Sequence, residues 1–299
     1  MQLLVTGPGG FIGRSLGPFL NRYEVHLADR SDPGWPGKAT FHTVDLLRQG
    51  GAKDLIERVK PDCLLHLAWY ADAGKFWHAP QNLNWLTSSL ELFTAFAENG
   101  GKRMVVAGTC AEYDWSYNPA VETTPCNPKT LYGKTKAALF SRLQTLSEQS
   151  GVEFAWGRIF FPYGPHEQYG RLVPDVITGL LMNKPVSCSS GWQIRDFMHV
   201  EDVARAFSVV LKSDLRGPIN IASGEGHTVR EVATILAEII GHPERLAFGD
   251  RALQPGEPPA LVADTALLQS LGFRPRFALR QGLEDAVQWW RAVVSTSNG

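Results

Sequence analysis

The chain of 299 residues predicts an α/β fold with a doubly wound parallel sheet. Three observations lead there. Short, almost unbroken apolar runs such as "QLLVTG" (2–7), "DCLLHLAW" (62–69) and "KRMVVAGT" (102–109) leave no wet face, as strands covered on both sides must. Stretches with helical periodicity separate them. A glycine-rich turn, "VTGPGGFIG" (5–13), stands at the first junction.

Taken in order, 2–7 reads as the first strand and "RSLGPFLNR" (14–22) as a helix despite Pro18. "EVHLADR" (24–30) and "ATFHTVDL" (39–46) are the next strands, and "KDLIERVKP" (53–61) is a helix stopped by its proline. The strand 62–69 follows, then a helix over 86–101 ended by glycine. The strand 102–109, a long helix over 131–151 and the strand "EFAWGRIF" (153–160) complete the pattern. Beyond residue 161 the texture changes: "FPYGPHEQYGRLVP" is rich in Gly, Pro and Tyr and reads as a loop-built wall. Two strand-then-helix segments and an amphipathic helix at "EDAVQWWRAVV" come after it. The division expected is a dinucleotide-binding domain over 1–161 and a smaller, discontinuous substrate lobe over 162–299 that returns to the first sheet.

The composition is ordinary for a globular protein, with 44% hydrophobic and 20% charged residues and a net charge of −1. It points to neither nucleic acid nor membrane as a partner, and no apolar run is long enough to span a bilayer. Met1 runs straight into a strand, so a cytoplasmic location is expected. Cys63, Cys110, Cys126 and Cys188 have no CxxC spacing and read as free thiols. Most of the nine tryptophans read as core or interface packing, but Trp69 and Trp115 each follow a strand at the expected active edge.

Gly7, Gly10 and Gly13 form GxxGxxG between the first strand and the expected first helix. Without Cβ atoms the turn is tight and backbone N–H groups approach a pyrophosphate, helped by a helix N-terminus. Asp29 lies about 20 residues on, where a carboxylate accepts from both ribose hydroxyls of an adenosine. Arg30 beside it suits a 2′-phosphate, so NAD(H) and NADP(H) both stay open. Asp45, ending the third strand, is placed to meet the adenine amine. The domain is thus of Rossmann type.

TGxxGxxG close to the N-terminus, "HLAW" (66–69), "YGKTK" (132–136), "YGP" (163–165), "RLVP" (171–174), "RDFMHVEDVA" from Arg195 and "NIASGE" (220–225) occur in one order. This ordered set resembles the extended short-chain dehydrogenase/reductases, in their sugar-nucleotide epimerase/dehydratase branch, over nearly the whole chain. The resemblance implies that Phe11, Ile12, Leu46, Leu67, Ala68, Asn84 and Phe160 line the cofactor with the glycines and Asp29. It implies a proton donor, Tyr132, with Lys136 one helical turn on, lowering the phenol's pKa and holding the nicotinamide ribose. Thr109 would hydrogen-bond the reacting oxygen. The substrate would be a nucleotide-diphosphate sugar, with Arg195, and secondarily Arg171, on its diphosphate. A homodimer through the two helices flanking the sheet is the family default.

The departures narrow the reaction. The branch's 4,6-dehydratases follow the Ser/Thr with an Asp-Glu pair, where this chain has Cys110 and Ala111. Its 3,5-epimerase-reductases place a cysteine and a histidine where Ala111 and Arg171 stand. Glu112 is unusual, either a sugar-hydroxyl ligand or a loop cap. The branch often has Asn where this chain has Phe161, which makes the pocket wall apolar and suits a deoxygenated sugar carbon. The pattern resembles the branch's 4-ketoreductases most. The expected activity is therefore NAD(P)H-dependent reduction of a nucleotide-activated 4-keto-6-deoxy sugar at C4 in deoxysugar biosynthesis, with a 4-epimerase holding NAD tightly as the alternative.

Overall fold

A computed structural model describes residues 1–252 and 256–297. The strands are β1 (Gln2–Thr6), β2 (Glu24–Asp29), β3 (Thr40–Thr43), β4 (Cys63–His66), β5 (Arg103–Thr109), β6 (Glu153–Ile159), β7 (Phe161–Tyr163), β8 (Val186–Cys188), β9 (Ile194–His199), β10 (Gly217–Ile221), β11 (Gly226–Thr228), β12 (Leu246–Phe248) and β13 (Ala260–Leu261). The helices are α1 (Gly51–Val59), α2 (Gln81–Glu98), α3 (Leu131–Ser150), α4 (Leu172–Leu181), α5 (Val200–Lys212), α6 (Val229–Ile240), α7 (Ala266–Ser270) and α8 (Leu279–Ser297).

Seven strands form one sheet in the order β10-β6-β5-β4-β1-β2-β3, and every pairing in it is parallel. The winding reverses between β1 and β4, and the crevice beyond the carboxyl ends of those strands is where such sheets take ligands. Successive residues alternate between faces as the strand period requires. Leu4, Leu64, Met104, Val106 and Trp156 pack under α1, α2 and α3. Leu3, Val5, Leu65 and Val105 pack on the other side against Val203, Ala204 and Phe207 of α5. Both α5 and β10 follow residue 161, yet they cover and extend the first sheet.

The helix expected over 14–22 does not form. Two 3-10 turns, Gly13–Ser15 and Gly17–Phe19, stand there instead. Pro18 has no N–H to donate, and a Cβ on Gly17 would lie 2.6 Å from the Pro36 carbonyl oxygen, so the chain is pressed against the 33–36 loop. Ser208 and Lys212 of α5 both donate to the Phe19 carbonyl and tie this crossover down.

The lobe after β6 contains a four-stranded sheet of β11, β9, β13 and β7, with β8 and β12 paired beside it. Its core joins α4, α6 and α8 through Val173, Ile177, Val232, Leu236, Leu283 and Trp290. Among the described residues no helix is long and apolar enough to cross a membrane.

Candidate active site

The glycine turn makes a cradle that side chains would fill. Gly7 has φ 71°, and a Cβ there would lie 2.8 Å from the Ala68 nitrogen. One on Gly13 would lie 2.3 Å from the Gly7 carbonyl oxygen. Gly10 N–H donates back to Gly7 at 3.1 Å and closes the turn. The half-buried Asp29 reaches this turn: one oxygen accepts from Gly9 N–H at 3.3 Å and the other from Arg30 N–H at 2.8 Å. Arg30 itself is exposed. Phe11, Ile12, Leu67 and Ala68 are half-buried around the cradle. With only 3-10 turns behind Gly13, the helix dipole expected here is absent, so loop amides alone face an anion.

Asp45 is exposed and caps Leu47 N–H at 3.0 Å, while Leu46 is 5% exposed and belongs to the core. On α2 it is Asn82, not Asn84, that turns inward. Asn84 is exposed, whereas Asn82 is fully buried, donates to the carbonyls of Phe76 and Ala79, and accepts from Trp69 Nε1 at 2.8 Å. Ser89, seven residues further on the same face, is buried too, so helical periodicity carried the signal.

Thr109 ends β5, and Tyr132 and Lys136 share a face of α3. That helix starts on Thr130, whose hydroxyl accepts from Gly133 N–H, and stops on Gly151 at φ 74°. The Thr109 side chain stands beside the Tyr132 phenol and favours its ionised form. Burial pushes the Tyr132 phenol above its ordinary range, opposed first by Thr109 and less by the Arg171 charge. Lys136 is 3% exposed, and its ammonium turns to the Ala107 carbonyl at 2.8 Å with the Trp69 ring centroid 3.7 Å away. Burial draws that ammonium's pKa down to about 7, opposed by Glu112.

Two loops meet over Tyr132. Phe76 packs edge-on against its ring at 4.9 Å, Trp77 does so at 6.0 Å, and Tyr132 N–H donates to the Trp77 carbonyl. Arg171 lies over Phe76 and donates to the Ala71 carbonyl at 3.1 Å. Burial lifts the carboxyl of the nearby Glu167 to about 8.

Glu112 is a structural residue. It is fully buried, closes a capping box with Thr109 and pairs with Arg158 at 2.8 Å, so no oxygen is offered to a sugar. Cys110 is buried and its thiol is pushed up to about 12. Trp115 donates to the Cys110 carbonyl. Phe160 is 5% exposed and packs with Cys110, Tyr113 and Ala222. Phe161 is half-buried between Phe197 and the Arg195 guanidinium. Arg195 is 3% exposed and donates to Ile194 O and to Glu257 at 2.7 Å, so an anion there would compete with a carboxylate.

A sequence model described as the NAD dependent epimerase/dehydratase family matches residues 3–222. The chain is similar to a UDP-glucose 4-epimerase of Corynebacterium glutamicum, 26% identical over 328 residues, covering 100% of this chain and 98% of that one. It is also similar to a dTDP-6-deoxy-L-talose 4-dehydrogenase (NAD(+)) of Aggregatibacter actinomycetemcomitans, 28% identical with 77% of this chain and 87% of that one covered. Among solved structures, the Thermus thermophilus UDP-glucose 4-epimerase complex with NAD superposes at a TM-score of 0.87 and 28% identity, covering 97% and 99% of the two chains.

Proposed function

Since the chain belongs to the NAD dependent epimerase/dehydratase family, we propose that it reduces a nucleotide-activated 4-keto-6-deoxy sugar at C4. The observation that carries this reading is the composition of the site: buried Thr109 and Lys136 with half-buried Tyr132, and a neighbouring carboxylate, Glu112, that is tied up by Thr109 N–H, Trp156 and Arg158. Ala111 has no titratable group and the Cys110 thiol stays protonated, so elimination of water at C5 and C6 lacks its machinery. The cradle of Gly7, Gly10 and Gly13 with Asp29 would hold NAD(H), which supplies the hydride when bound.

Tyr132 gives its proton to the C4 oxygen as the carbonyl is reduced. Burial keeps the phenol protonated, which suits it as an acid. Thr109 holds the same oxygen in place. Phe161 and Phe197 present an apolar wall to the 6-deoxy side. Arg195 would take the diphosphate once Glu257 yields.

A second reading, 4-epimerisation, is favoured by the end-to-end similarity to a UDP-glucose 4-epimerase. It would use the same three side chains to oxidise and re-reduce C4. The test is incubation with nucleotide-linked 4-keto-6-deoxy sugars and 4-deuterated NADH or NADPH. The proposal expects one reduced cofactor consumed per sugar and deuterium at C4. An epimerase would instead interconvert 4-hydroxy sugars with no net cofactor use. Label at any other carbon, or a 4-keto-6-deoxy sugar formed from a 6-hydroxy hexose, would overturn both.

A further inference from the structure

Lys136 is boxed in from several sides. Its ammonium donates to Ala107 O, the Trp69 ring lies 3.7 Å away, and the Trp156 ring stands at 5.7 Å. The Trp69 ring is not there by accident of rotamer. Its indole N–H is fixed to Asn82 Oδ1 at 2.8 Å, its ring stacks on Trp85 at 6.2 Å and 28°, and Asn82 is itself bound to the Phe76 and Ala79 carbonyls. The end of β4 and the start of α2 thus hold one aromatic face against one buried amine.

We propose that Trp69 is a positioning residue of the active site: its indole face keeps the Lys136 side chain charged and aimed at the Ala107 carbonyl. An aromatic face stabilises a cation by its quadrupole and does nothing comparable for a neutral amine. The effect is strongest where water is excluded, as it is around a side chain 3% exposed. The other charged groups acting here are few. Glu112, from the 3-10 turn after β5, favours the ammonium, but its charge is shared with Arg158 of β6. His66, on β4, is held neutral by burial. From α2 the neighbours Asn82 and Trp85 carry no charge. A charged lysine matters because the ribose hydroxyls of a nicotinamide cofactor accept from an ammonium. The inference rests on the role proposed for Lys136, and its first readout is independent of that role.

The test compares the wild type with Trp69→Phe, which keeps a π face, and Trp69→Leu, which keeps apolar bulk without one. Lysines labelled with ¹³C at Cε report the Lys136 titration by NMR in the full-length protein, with Lys136→Arg used to assign the signal. Trp69→Leu should lower the midpoint by about one pH unit, and Trp69→Phe by less. Emission of the Trp69 indole, taken as wild type minus Trp69→Phe, should change through the wild-type midpoint. The pH dependence of NADH binding should shift with the NMR midpoint across the series. A midpoint unmoved by Trp69→Leu, or moved equally by both variants, would overturn the proposal. NADH binding that ignores a shifted midpoint would overturn the role of Lys136 and leave the Trp69–Lys136 coupling standing.

Discussion

Replacing Glu112 with Gln removes one charge from a place where no water can compensate. The Glu112 carboxylate is fully buried and accepts from Thr109 N–H at 2.8 Å, Trp156 Nε1 at 2.9 Å and Arg158 Nε at 2.8 Å. An amide keeps one acceptor oxygen and turns an NH₂ toward a donor. The Arg158 guanidinium, 2% exposed, would then sit without its counter-charge. Breaking a buried pair from one side costs about 3–5 kcal/mol. At roughly 2.1 cal/mol/K per residue, the melting entropy of this chain is on the order of 0.6 kcal/mol/K, so Tm should fall by about 5–8 °C. Thermal unfolding followed by circular dichroism reads this directly. The double variant Glu112→Gln, Arg158→Met removes both charges, leaves an amide oxygen to accept from Thr109 N–H and Trp156 Nε1, and should recover most of the loss. A Gln variant as stable as the wild type, or a double variant less stable than the single one, would refute the reasoning. Activity should fall as well, because Glu112 fixes the Thr109 backbone and favours the Lys136 ammonium.

Tyr132→Phe keeps the ring contacts with Phe76 and Trp77 and removes the proton. Turnover in the labelled-cofactor assay should drop by about 10² to 10⁴ with cofactor affinity little changed, and near-normal turnover would remove Tyr132 from the reaction. Asp29→Ala frees the Gly9 amide and removes the charge that repels a 2′-phosphate, so the ratio of NADPH to NADH use should rise; an unchanged ratio places Asp29 away from the ribose. His66 hydrogen-bonds Thr6 and Ser89, and burial holds its pKa at about 3, below the ordinary 6.5. The unfolded chain binds that proton first, so the stability His66 contributes is whole above about pH 6.5 and shrinks as pH falls toward 3. The stability gap between the wild type and His66→Gln should narrow by about 2 kcal/mol between pH 7 and pH 5, and a constant gap in denaturant titrations would contradict this.

What the sequence revealed divides along physical lines. The helix 131–151 and the strand 102–109 lie within a residue of Leu131–Ser150 and Arg103–Thr109, because local periodicity, a Thr cap and a Gly stop all agree there. That Tyr132 and Lys136 share one helix face was legible for the same reason, the two being four residues apart on it. The failures involve partners distant in sequence. Nothing local tells that Arg158 claims Glu112, that Glu257 reaches Arg195, or that Trp69 lies over Lys136. The "HLAW" strand end did carry a hint, since a large aromatic replaced a small residue where the resemblance expects one. The helix over 14–22 failed because its apolar spacing was real but served a different cover: Leu16 and Leu20 pack against α5 without a helix of their own.

That substituted cover bears on the order in which the chain can fold. A typical β-crossover-β unit brings its own helix and shields its sheet as soon as it leaves the ribosome. Here Leu3, Val5, Leu65 and Val105 wait for Val203, Ala204 and Phe207. Leu16 and Leu20 cover part of that face early, and the rest is covered only when residues near 212 have been synthesised, so the half that carries the glycine turn completes its packing with the half that follows it.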